Sequence, residues 1–181
     1  ENAEAFEYAV KLGKKVGAEI LLATDPDCDR IAVAVRGNND DYVFLNGNQT
    51  GVLLIHYILK RRQEKGKLPK KGFIIKTIVT SEMGRVISEG FNIPVYDTLT
   101  GFKFICNKAE ELEREGGVFL FGYEESIGYL AGNFVGDKDA VISAMLIVEM
   151  AAYYKKIGQT LLSVLEQLYE QYGYFLEHLE S

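Results

Sequence analysis

GFIIKTIVTSEMGRVISEGFNIPVYDTLTGFKFICNKAEELEREGGVFLF, residues 72 to 121, switches repeatedly between two hydrophobic periods. Short runs rich in β-branched and aromatic residues at 73 to 79, 93 to 96 and 117 to 121 read as strands. The stretches between them, 81 to 90 and 102 to 114, place apolar side chains at helical spacing. Strands alternating with helices of this length predict an α/β domain. Working outward, helical patterns at 48 to 64, about 137 to 156 and 160 to 172 flank this core, with Gly158 between the last two and Gly173 after them as stops.

Further toward the N-terminus the pattern shortens. Residues 3 to 16 carry Phe6, Ala9, Val10, Leu12 and Val16 at roughly helical spacing, and Gly17 ends that helix. AEILLAT then reads as a buried strand that delivers DPDCDR at its C-terminal end. IAVAV leaves as a second strand, and GNND forms a turn before YVFL. The change of pattern near Asn46 divides the chain into residues 1 to 45 and residues 46 to 181.

DPDCDR sets Asp25, Asp27 and Asp29 at alternate positions, so in an extended segment their carboxylates project to one side. Hard oxygen ligands of this kind suit Mg²⁺, and three adjacent carboxylates need a cation to offset their repulsion. Arg30 supplies one positive charge and a fork able to grip a phosphate. A calcium EF-hand is excluded, because its sixth and twelfth positions require Gly and Glu and counting from Asp25 gives Arg30 and Arg36. A haloacid-dehalogenase type phosphatase, with Asp25 as nucleophile, is the alternative enzyme class.

Composition narrows the function further. A net charge of −6 argues against a nucleic-acid surface, since backbone phosphates reward clustered Lys and Arg. The one basic run, Lys60 to Lys71, reads as a helix end and solvated turn. No apolar run approaches the roughly 18 residues of a membrane span. Cys28 and Cys106 lack pairing spacing, and ENAEAFEYAV shows no secretory pattern, so a cytoplasmic location is expected. His56 on a helix and His178 in the tail stand far from any acidic cluster and read as structural.

DPDCDR resembles the metal loop of the alpha-D-phosphohexomutases, commonly written DPDxDR. GYEESIGY at 122 to 129 is similar to that family's sugar-binding loop, and TGFKFI at 100 to 105 resembles the loop preceding it. All three follow the family's order, so the resemblance covers essentially the whole chain. It implies a four-domain enzyme: a phosphoserine on the first domain, the metal loop on the second, the sugar loop on the third and a phosphate clamp on the fourth. Residues 1 to 45 then correspond to the C-terminal part of the second domain, and 46 to 181 to a mixed-sheet α/β third domain of phosphohexomutase type. Neither the serine loop nor the clamp occurs in the 181 residues. The chain is therefore expected to be a central fragment that needs domains 1 and 4 of its own polypeptide and is inactive alone.

The same resemblance assigns roles. Asp25, Asp27 and Asp29 would hold Mg²⁺, with Arg30 steadying the phosphoryl group of a hexose phosphate. Thr100, Gly101 and Lys103 would contact substrate; Lys103 also stands near a predicted helix start, where free N–H groups favour an anion. Glu124 and Ser126 are separated by one residue, so on an extended turn they share a side and suit adjacent sugar hydroxyls, with Glu125 facing away as a structural partner. Lys76 lies between apolar neighbours in a strand and must reach water, a partner or a ligand; a family lysine at the matching strand assists proton transfer. Lys138 resembles a position near the substrate phosphate, and a cap formed with Asp137 or Asp139 explains it equally well. TGFK with GYEES is closer to the glucose branch than to the mannose branch, with mannose and pentose phosphates as alternatives and a metal or sugar-phosphate binding module as the non-enzymatic one. Cys28 stands where relatives more often have Gly or Ala.

Overall fold

The computed structural model describes residues 6–177. His178 and the first three residues of the predicted N-terminal helix, 3 to 5, lie outside them. Helix α1 (Glu7–Val16) ends at Gly17, whose φ of 68° supplies the left-handed stop. Its inward contacts come from Phe6, Ala9 and Val10, which pack with Leu21 and Ala34. Leu12 and Val16, expected inward, face outward together with Tyr8. Strands β1 (Ile20–Thr24), β2 (Ile31–Arg36) and β3 (Tyr42–Leu45) form an antiparallel three-stranded sheet in chain order. Thr24 pairs directly with Ile31, which makes Asp25 to Arg30 the connection of a hairpin.

Helix α2 (Gly47–Glu64) starts in a reciprocal capping box between Asn46 and Gln49 and is buried around most of its circumference from Val52 to Leu59. It then feeds a mixed four-stranded sheet of order β5-β4-β6-β7. β4 (Gly72–Thr77), α3 (Met83–Gly90), β5 (Val95–Thr98), α4 (Phe102–Arg114) and β6 (Val118–Glu124) follow the predicted alternation, with β4 parallel to both β5 and β6. β7 (Gly128–Leu130), which the sequence did not announce, returns antiparallel to β6. The expected strand 117 to 121 therefore runs on to Glu124, and the following loop is a hairpin. Strand 73 to 79 stops at Thr77, where Thr80 N–H bonds back to the Thr77 carbonyl and turns the chain.

Strand alternation sorts the core. Phe73 and Ile75 face α4, packing with Phe102, Ile105, Ala109 and Phe119. Ile74 faces the opposite side, in a larger cluster with α2, α3, α5 (Ala140–Lys156) and α6 (Leu161–Tyr172). Ile31, Val33, Val35 and Leu45 of the first sheet join that same cluster, so one continuous core ties the acidic hairpin to the larger sheet. α5 is capped by Asp139, which accepts from the Val141 and Ile142 amides, and α6 by Thr160 and Ser163.

His56 sits largely buried on α2 with its Nδ1 3.0 Å from the Tyr154 hydroxyl. Burial, reinforced by the Lys60 charge one turn on, pulls its pKa down to about 4 from 6.5. The folded state thus binds this proton less readily than the unfolded chain, so the stabilisation is present above pH 6.5 and is lost as pH falls toward 4. Urea unfolding at pH 7 and pH 4.5 should show His56→Gln losing about 2 kcal/mol less than the parent over that interval. Equal losses in the two proteins would remove His56 from the acid response.

Candidate functional site

The acidic connection is a compact turn, not the extended segment the alternate spacing suggested. Cys28 N–H bonds to the Asp25 carbonyl at 3.1 Å, and Cys28 takes φ 59°. Asp25 Oδ1 then accepts from the Asp29 and Arg30 amides at 3.2 and 3.1 Å, so the turn wraps around one carboxylate. The Arg30 amide is the main reason the Asp25 carboxyl is held below its usual pKa, with the Asp29 amide adding to it. Folded this way, carboxylate oxygens of Asp25, Asp27 and Asp29 lie within 4.8 Å of one another. Asp27 is exposed and the other two half-buried. The left-handed backbone at Cys28 costs a residue with a Cβ about 1–2 kcal/mol, a cost that only glycine would avoid.

Glu124 closes β6, and Glu125, Ser126 and Ile127 form the turn into β7. Ile127 takes φ 57°, as the last residue of a three-residue hairpin loop commonly does. Glu124 is only 4% exposed. Its Oε1 accepts from the Gly101 amide at 3.0 Å, which ties the hairpin to the start of α4, and burial pushes its carboxyl pKa up. Gly101 has φ 120°, a conformation that keeps the position for glycine. Thr100 and Lys103 flank it, both exposed.

The two loops touch through main chain. Ile31 N–H donates to the Ile127 carbonyl at 3.0 Å, and Arg30 bridges to Gly128. Exposed Arg30 projects from this junction, and its charge reaches Glu124. The Ala140 amide at the head of α5 donates to the Cys28 carbonyl. Lys138 crosses the same point: its Nζ lies 3.0 Å from Asp29 Oδ2 and 3.5 Å from Asp137 Oδ1. Glycine at 128 leaves room for it, since a Cβ there would come within 2.6 Å of Lys138 Cδ. Of the two accounts of this segment, the cap belongs to Asp139, and Lys138 serves the acidic turn instead. Asp25, Asp27, Asp29, Arg30, Glu124 and Lys138 are thus assembled around one junction, with Gly101 joined to it through Glu124.

Lys76 stands apart. It is fully buried at the end of β4, with Nζ 2.7 Å from Glu82 and 3.1 Å from Asp97, and it donates to the Thr77 and Thr80 carbonyls. The amine that the resemblance placed in proton transfer is surrounded in this structure by two carboxylates and two carbonyls. Glu125 has structural partners: its Oε2 accepts from the Thr77 and Thr80 hydroxyls. Those two threonines escaped sequence reasoning, since threonine at a strand end carries no signal of its own.

An acidic hairpin turn on an antiparallel sheet is joined by a β-bridge to an acid-bearing hairpin on a mixed sheet, and this pairing characterises the class of protein. Residues 46–172 match the family described as phosphoglucomutase/phosphomannomutase, alpha/beta/alpha domain III, and the chain belongs to the phosphoglucomutase/phosphomannomutase family. It is 39% identical over 173 residues to the phosphoglucomutase of Staphylococcus aureus, covering 96% of this chain. It spans 30% of the length of that relative. Among solved structures, a phosphoglucomutase/phosphomannomutase family protein from Burkholderia thailandensis shares the fold with a TM-score of 0.70 at 18% identity, over 92% of this chain and 32% of that one. The N-acetylphosphoglucosamine mutase of Aspergillus fumigatus, solved with GlcNAc-6P and magnesium, aligns with a TM-score of 0.59 at 17% identity, over 90% and 36%.

Three convergent carboxylates fit a hard divalent cation by donor type and spacing, with Lys138 as the protein's own counter-charge on Asp29. An ion bound there has to share Asp29 with that ammonium. Lys138→Met is therefore expected to tighten Mn²⁺ binding about five-fold in a calorimetric titration, equivalent to removing a competitor worth about 1 kcal/mol. Weaker binding in the variant would mean that Lys138 holds Asp29 in its ligating position.

Proposed function

We propose that this chain is the central part of a phosphoglucomutase that interconverts glucose 1-phosphate and glucose 6-phosphate through a phosphoserine and a hexose bisphosphate. One observation supports this reading above the others: the acidic turn and the Glu124–Gly128 hairpin are bonded main chain to main chain, so groups suited to a cation and to a sugar share one junction. Residues 1 to 45 complete one domain of the parent and 46 to 181 form the next, with the phosphoserine and a phosphate clamp on the parent's first and fourth domains. The parent works in the cytoplasm on a hexose phosphate, without nucleic acid. Among the described residues no helix is long and apolar enough to cross a membrane.

Phosphoryl transfer depends on alignment and charge neutralisation more than on covalent help from the protein. Asp25, Asp27 and Asp29 would hold Mg²⁺. When bound, the ion supplies charge neutralisation and Lewis acidity at a phosphoryl oxygen. Arg30, exposed beside them, offers its guanidinium fork to the same phosphoryl group. Glu124 and Ser126 accept and donate hydrogen bonds to neighbouring sugar hydroxyls. A Glu124 oxygen left without a hydroxyl donor by the wrong epimer costs roughly 1–3 kcal/mol, which favours the right one. Thr100, Gly101 and Lys103 border the sugar from the start of α4, and Lys138 adds positive charge for its phosphate.

The test is turnover by the full-length parent, followed with glucose 1-phosphate and with mannose 1-phosphate. Activity on glucose 1-phosphate that falls at least about 100-fold on Asp27→Asn is expected. No hexose phosphate turnover by the wild-type parent, or turnover by the isolated 181 residues, would overturn the reading. A preference for mannose 1-phosphate would move it to the mannose branch of the family.

A further inference from the structure

We propose that Glu125 is a positioning residue that seats the sugar-reading hairpin, acting through the Thr77–Thr80 turn that Lys76 clamps. The inference rests on the reading of Glu124 and Ser126 as sugar contacts and adds the part of the fold that holds them in register. Glu125 lies between those two residues, so any rotation of the turn displaces both together. Its Oε2 accepts from Thr80 Oγ1 at 2.9 Å and from Thr77 Oγ1 at 3.2 Å. The two hydroxyl oxygens are themselves 2.6 Å apart. Two hydroxyl protons thus serve three contacts, and at least one of them points at the carboxylate.

Thr77 and Thr80 are 0% and 3% exposed, so water has little access to replace Glu125 as their partner. The turn bearing them is closed by Thr80 N–H to the Thr77 carbonyl at 3.1 Å and held from the other side by Lys76, which donates to both threonine carbonyls at 3.2 and 3.0 Å. Glu82 and Asp97 fix the ammonium in turn. A continuous set of polar contacts therefore runs from the C-terminal ends of β4 and β5 to the tip of the hairpin. Such support matters because a recognition group must be held within about 0.5 Å of its productive place to discriminate between closely similar ligands.

Amide hydrogen exchange on the 181-residue chain tests the seating directly. The Ile31 amide, bonded to the Ile127 carbonyl, and the Gly101 amide, bonded to Glu124, report the hairpin. The Ile74 amide, bonded to the Pro94 carbonyl inside the sheet, is the reference for global stability. Glu125→Ala is expected to speed exchange at Ile31 and Gly101 at least about ten-fold relative to Ile74, whereas Glu125→Gln, whose amide oxygen still accepts both hydroxyls, stays within about three-fold. Thr80→Val removes one donor at nearly constant volume and is expected to act like Glu125→Ala, which keeps the test open if the alanine variant does not fold. Unchanged exchange at both reporters in the two variants would overturn the proposal.

In the full-length parent, Glu125→Ala should lower the ratio of kcat/KM for glucose 1-phosphate over mannose 1-phosphate about ten-fold, with Glu125→Gln restoring it. An equal loss for both sugars would reduce Glu125 to a general structural role and overturn its part in specificity. Failure of the functional reading itself shows separately, as no hexose phosphate turnover by the wild-type parent, and leaves the exchange result to decide the positioning claim.

Discussion

Lys76→Ala should destabilise the chain by about 4 kcal/mol in equilibrium urea unfolding, the largest single-residue loss expected outside the apolar core. The side chain is 0% exposed, so its truncation leaves a cavity as well as four oxygens without their shared cation. The contributions differ. Glu82 and Asp97 are partly exposed and keep Arg85 as a second partner, so water and guanidinium soften their loss. The Thr77 carbonyl keeps the Thr80 N–H as a donor, whereas the Thr80 carbonyl loses its bond from the ammonium without that relief. Lys76→Met, which fills the volume without the charge, should therefore recover about half of the loss. The pH response supplies a second readout. Glu82 is held below its ordinary pKa of 4.5, chiefly by its bond from Lys76, so its stabilisation is present above that value and lost as pH falls through the lowered one. In either variant that part of the acid dependence should shrink. A Lys76→Ala chain within 1 kcal/mol of the parent would show that the clamp contributes little to folding.

Gly47→Ala is expected to cost about 3 kcal/mol and to loosen the hairpin before anything else. A Cβ at position 47 would overlap the Glu125 carbonyl oxygen and lie 2.5 Å from its carbon and 2.8 Å from the Ile127 nitrogen. All three are main-chain atoms of the turn, so no rotamer change can relieve the contact. Either the first turn of α2 or the hairpin must move. The Tyr129 hydroxyl, which donates to the Gly47 carbonyl at 3.2 Å, opposes movement of α2. The hairpin also has the Ile31–Ile127 bond to lose, so the displacement should reach the acidic turn. Gly136→Ala, with nothing within 4 Å of the added carbon, is the control and should stay within about 0.5 kcal/mol of the parent. Equal stability for the two variants in urea, with unchanged exchange at Ile31, would mean that α2 and the turn separate freely.

Most helices and strands were legible because their causes are local. The glycines after α1 and α6 and the short apolar runs of β4 and β6 each act within a few residues. β7 was not legible. Three residues after a polar turn carry no detectable period, and Glu124 ends β6 as a buried acid, a type of residue that ordinarily argues against a buried strand. Leu12 and Val16 show the converse: helical spacing placed them on a helix and could not say which face would find a sheet.

The candidate site divides along the same line. Three aspartates within five positions had to sit near one another, so the acidic cluster was determined by the chain itself, although its compact form comes from the Asp25 carboxylate bonding two amides. Likewise the sequence required Lys76 to find a counter-charge. It could not choose between a ligand and the carboxylates Glu82 and Asp97, which come from the start of α3 and from β5. The pairing of Lys138 with Asp29, the threonine pair under Glu125 and the edge contact between the two hairpins were decided only by tertiary structure. Hydrogen bonds and ion pairs act over a few ångströms, and which distant residues come that close depends on where strands end and how sheets pack. Periodicity records neither.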